Sequence, residues 1–77
     1  MEKKKRFNGF TKEEIKRIQE KYTEGTKIRA IKTFEDIVQN GTIGIVRYVD
    51  DIGKIHLKWD NRSSYGLIEG FDEFEII

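Results

Sequence analysis

Residues 42–59 spell out a hairpin. Residues 42–49 are rich in β-branched and aromatic side chains, as strands are. Asp50-Asp51-Ile52-Gly53 follows as a tight turn in which Gly53 is free to take positive φ. Residues 54–59 then alternate strictly, with Ile55, Leu57 and Trp59 on one side and Lys54, His56 and Lys58 on the other. This period of two commits the segment to a strand with one buried face and a partner strand beside it. In residues 42–49, Ile43, Ile45 and Val49 share one side, and Gly44, Val46 and Tyr48 share the other. Apolar groups on both sides predict a strand that bends around a barrel, with Gly44 easing the bend.

The remaining segments close the sheet or cover it. Residues 26–33 make an earlier strand with Ile28 and Ala30 inward and Ile31 at an edge or under a helix. Residues 60–64 make a polar corner, 65–69 a short strand, and 71–77 a last strand in which Phe74 and Ile76 alternate with Glu73 and Glu75. Residues 34–40 fit neither period and read as an irregular loop with Phe34, Ile37 or Val38 tucked down; Asn40-Gly41 marks a turn. Upstream, Thr11 with Glu14 has the spacing of a capping box, and Phe10 with Ile15 that of a hydrophobic staple. Ile15, Ile18 and Tyr22 then make one narrow apolar stripe, which ends where Gly25 can supply a left-handed turn. The fold expected is mainly β with one N-terminal α-helix: a small Greek-key-like or SH3-like five-stranded barrel with the helix packed on it. Closing the sheet on itself limits exposed edges. The expected organisation is a basic flexible arm over 1–10 and one domain over 11–77, with its helix at 11–22 and its barrel at 26–77.

Composition narrows the function. The chain has 77 residues, enough for one core of modest stability. It has no cysteine, so no disulfide or thiolate metal site can supplement that core. No stretch approaches the roughly 20 apolar residues that span a bilayer, and the start MEKKKRF leads into no apolar run. A soluble, cytoplasmic protein is expected. The net charge of +1 hides an asymmetry: residues 1–22 carry eight Lys/Arg against four Glu, and residues 23–77 carry seven against ten Asp/Glu. A basic arm on a mildly acidic body serves as a solubilising tail or as a contact with nucleic acid.

Gly25-Thr26, Gly41-Thr42-Ile43-Gly44-Ile45-Val46, Asp50-Asp51-Ile52-Gly53 and Trp59-Asp60-Asn61-Arg62-Ser63-Ser64 together resemble a bacterial and phage family, domain of unknown function 4314. The preceding helix is of the same kind, so the resemblance covers nearly everything after Asn8. It implies a small SH3-like fold, often carried on phages and conjugative elements, and no established activity. Arg62 sits where the family usually has glycine, so either the turn differs there or the position carries a contact. The 34–40 loop often bears proline in relatives, whereas this chain has none.

Candidate chemistry is sparse. Asp50, Asp51 and Asp60 are turn residues, whose side-chain-to-backbone bonding explains them. His56 stands alone between two outward lysines, and zinc needs about four converging ligands. Ser63-Ser64 with His56 and Asp60 has the spacing of no known nucleophile elbow or triad. Neither an enzyme nor a cofactor or metal is expected. Trp59 is most simply a core residue; the alternative is an exposed aromatic platform at the barrel mouth with Tyr65, Tyr48 or Phe71. The expectation is therefore a non-catalytic binding module with an unknown protein partner. Its surface would be formed by Phe34 and Ile37 of the loop with His56, Lys58, Asp60, Asn61, Arg62, Ser64 and Tyr65. The alternative is weak, largely sequence-independent nucleic-acid binding through Lys3, Lys4, Lys5, Arg6, Lys12, Lys16, Arg17 and Lys54.

Overall fold

The computed structural model describes residues 9–77, so the Lys3, Lys4, Lys5 and Arg6 cluster lies outside the described residues. One helix, α1 (Lys12–Lys21), precedes four strands: β1 (Lys27–Lys32), β2 (Ile43–Val49), β3 (Ile55–Trp59) and β4 (Glu73–Ile76). All neighbours pair antiparallel, in the order β3-β2-β1-β4.

The helix begins as its sequence predicts. The Thr11 hydroxyl accepts from the Glu14 amide, and the Glu14 carboxylate accepts from the Thr11 amide, completing the capping box. Phe10 and Ile15 both lie against Gly53 at the hairpin turn. Ile18 and Tyr22 are buried, so the apolar stripe fastens α1 to the inner face of the sheet. There they join Ile28, Ala30, Val38, Val46, Ile55, Leu57, Trp59 and Leu67 in a single core.

Trp59 belongs to that core, with only 2% of its surface exposed. It faces Gly44 across the β2–β3 ladder. A Cβ on Gly44 would stand 2.6 Å from the indole Cε3, so only glycine lets the ring lie against the β2 backbone. Closeness of approach explains Gly44 better than a bend does.

Two expectations need correction. The sheet is open, with four strands rather than a closed five-stranded barrel. Residues 65–69 add to β3 only one bridge, between Ile55 and Leu67. The polar groups around that bridge are met elsewhere: the Tyr65 carbonyl accepts from the Trp59 indole, and the Ile68 amide donates to Asp72. With those groups satisfied by side chains, no ladder forms between β3 and β4.

The second correction concerns β2. Its register shifts between Val46 and Tyr48, which leaves Arg47 without a partner across the strand. That extra residue flips the remainder of the strand. Tyr48 pairs with His56 on the outer face and is 53% exposed, while Val49 turns inward against the core.

In the loop, one of the three candidates tucks down. Phe34 and Ile37 are exposed, and Val38 alone is buried. Thr33 explains the choice, because its hydroxyl both donates to the Val38 carbonyl and accepts from the Val38 amide.

Candidate functional site

The outer face of β2 and β3 gathers the groups most suited to binding. Tyr48 and His56 lie opposite each other, and their rings stack with centroids 4.5 Å apart and planes 7° apart. The hairpin turn holds this stack in place. The Asp50 carboxylate accepts from the amides of Ile52 and Lys54 through one oxygen. Its other oxygen lies 2.8 Å from His56 Nε2. An ionised carboxylate only accepts, so this ring nitrogen carries the hydrogen. Burial alone would raise the Asp50 pKa, but the bonds from His56 and the two amides outweigh it and hold the carboxyl below its ordinary value. His56 is therefore an oriented ring rather than the solitary one its flanking lysines suggested.

Three cations surround the stack. Lys58 is exposed opposite Ile45, and the unpaired bulge residue Arg47 is exposed beside Tyr48. Arg62 reaches the same region from the corner, where its backbone takes φ +66°. That left-handed conformation favours glycine, and here it carries a guanidinium.

The corner is otherwise a hydrogen-bonded clamp. The Arg62 amide donates to the Trp59 carbonyl, Asn61 accepts from the Ser63 amide, and the Ser63 hydroxyl accepts from the Tyr65 amide. The Tyr65 hydroxyl donates to Asp72 over 2.7 Å. Burial first, then the bond to Asp72 and its charge, push the Tyr65 pKa up to about 12. Tyr22 is raised to about 12 in the same way, by burial and then by its bond to Glu69. Both tyrosines hold structure together through their hydroxyls.

Between the stack and the corner lies a groove of about 640 Å³, lined by Arg47, Tyr48, His56, Lys58, Arg62, Ser63 and Ser64, with Leu57 and Trp59 behind them. A neighbouring depression of about 720 Å³ shares Arg47, Tyr48 and Lys58 and adds Ile45 and Glu24.

The structure thus brings together His56, Lys58, Arg62 and Ser64 of the expected partner surface. Asp60 and Asn61 belong to the corner without lining the groove, and Tyr65 is turned to Asp72. Phe34 and Ile37 are exposed but do not line it either. Of the expected nucleic-acid set, Lys12 and Lys16 are exposed on α1, and Arg17 joins Lys21 beside Glu69 at 3.4 and 3.5 Å. Lys54 does not join the outward lysine patch, because its stem packs on Gly66.

Arg47 escaped the sequence reading, and Tyr48 entered it only as a companion of Trp59 in an exposed platform. Their signal was the apolar pattern on both sides of residues 42–49, which a one-residue bulge produces as readily as a bend does. Among the described residues, no group of three or more His, Cys, Asp or Glu is placed to hold a metal ion. Among them, too, no helix is long and apolar enough to cross a membrane.

No curated protein and no solved structure matches the chain. A family model does, over residues 11–77, and it spans α1, all four strands and the corner. The chain belongs to the family described as Domain of unknown function (DUF4314).

Proposed function

We propose that this domain is a non-catalytic binding module that holds an anionic partner against the outer face of β2 and β3. One observation carries the reading: Arg47, Lys58 and Arg62 converge on a single groove that no carboxylate lines. Arg62 stands there at a backbone conformation that favours glycine, a small strain set against the charge it brings to the groove. The loop residues Phe34 and Ile37 lie outside the groove, which favours recognition led by charge over recognition led by that loop. A cytoplasmic setting accords with a chain that has no cysteine.

The test is anisotropy of fluorescently labelled inorganic polyphosphate at low salt. Lys3, Lys4, Lys5 and Arg6 are first replaced by serine, so that the arm contributes nothing. In that background, replacing Arg47, Lys58 and Arg62 together by alanine should weaken binding by about tenfold or more, since each removes a phosphate contact. Unchanged affinity in the triple variant would sink the proposal.

A further inference from the structure

The geometry points to single-stranded nucleic acid as the anionic partner, with one base stacked on Tyr48 and its flanking phosphates on Arg47, Lys58 and Arg62. This inference rests on the anionic-partner reading and adds the base to it. Four observations support it.

Tyr48 is the only aromatic side chain that the outer face of the hairpin presents broadly to solvent. It is 53% exposed, while Trp59 across the sheet is 2% exposed. One face of the Tyr48 ring is covered by His56, in a stack only 7° from parallel. The Asp50 bond to His56 holds that stack at its far side, so the pair forms an ordered support for a third ring. A base laid on Tyr48 would extend an existing column and order few additional groups.

Tyr48 also borders three adjoining depressions. One holds the three cations, one adds Ile45 and Glu24, and one runs past Asp50, Asp51 and Ile52 at the hairpin tip. The ring is thus a shared wall of all three, and Arg47 and Lys58 line two of them. Glu24 and Asp51 line the other two, which leaves the groove shared by all three cations for the phosphates.

The cations are of the right kind and in the right place. Two are arginines, whose planar guanidinium can meet a phosphate through two donors at once. Those of Arg17 and Arg29 sit beside Glu69 and Glu75, whereas Arg47, Lys58 and Arg62 take part in no salt bridge among the described residues. An acidic peptide would satisfy the charges but leave the ring column unused. A duplex keeps its bases stacked and cannot offer one to Tyr48.

The experiment compares an oligothymidine of about 12 nucleotides with an abasic strand of equal charge, a duplex and polyglutamate, in the arm-substituted background. Oligothymidine should bind tightest, with a log–log salt slope of about −2 for three phosphate contacts on a single strand. Tyr48→Ala should weaken it by about 5- to 150-fold, the range of one lost stack, and Tyr48→Phe should keep most of the affinity. Because Tyr48 is exposed, both variants should show the wild-type melting transition, which separates lost binding from lost fold. Equal affinity for the abasic strand, or no effect of Tyr48→Ala, overturns the base stack and leaves the anionic groove standing. Preference for polyglutamate assigns the groove to an acidic protein instead. Failure to bind any of the four polyanions overturns both readings.

Discussion

The two faces of the β2–β3 hairpin use the same backbone for opposite ends. On the inner face, Ile55, Leu57 and Trp59 are buried, and the indole lies against Gly44 with no room for a Cβ. On the outer face, Tyr48, His56 and Lys58 stand at the alternate positions of the ladder, open to solvent or half so. The inner face is determined by volume, so its residues have few substitutes. The outer face is determined by what the bulge at Arg47 turns outward, and its residues contribute little to stability. Two of the left-handed positions repeat the contrast. Gly53, at φ +93°, is pressed by Phe10 and has no space for a side chain. Arg62, at φ +66°, carries a long one into the groove.

The sharpest way to break this division is Trp59→Ala. It should cost about 3–5 kcal/mol by chemical denaturation, as deletion of a buried aromatic does. For a domain of this length that is a large part of the whole stability. A loss below about 1 kcal/mol would show that the indole is not what the inner face is built on.

Gly44→Ala comes next, at about 1–3 kcal/mol, because the new methyl must displace the indole. The same substitution made in Trp59→Leu should be nearly neutral, since the clashing ring is gone. An equal cost in both backgrounds would place the requirement for glycine in the backbone rather than in the contact.

Arg62→Gly has the smallest effect and the opposite sign. Relief of the left-handed strain should stabilise the fold by about 1 kcal/mol or less, once the greater freedom of unfolded glycine is counted. Polyanion binding should meanwhile lose about 0.7 from its salt slope. Loss of both stability and binding would mean that the Arg62 side chain props the corner rather than serving the groove.

Much of the local structure was legible in the sequence. Capping chemistry needs only neighbours three residues apart, so Thr11 and Glu14 announced the start of α1. Strict alternation announced β3, and Asp50 with Gly53 announced the turn. Half of the groove was legible as well: His56, Lys58, Arg62 and Ser64 were expected at a surface and meet there. Arg47 was not, and Tyr48 only as a companion of an exposed Trp59, because a bulge is a property of two paired strands and has no residue type of its own. The Asp50–His56 bond was missed for a related reason, since it joins a turn to a strand position that only the register brings within reach.

The sequence by itself determined a mainly-β architecture with a capped helix, a hairpin and a polar corner, because propensity, turn chemistry and periodicity act over a few residues. Tertiary structure alone decided that the sheet stays open and which way Tyr48 faces. Strand pairing joins segments far apart in the chain, and the bonds that Asp72 makes to Tyr65 and Ile68 divert that segment from the ladder that would have closed a barrel. A shift of one residue in β2 then turned an aromatic ring from the core to the surface, and that ring sets the chemistry proposed for the site.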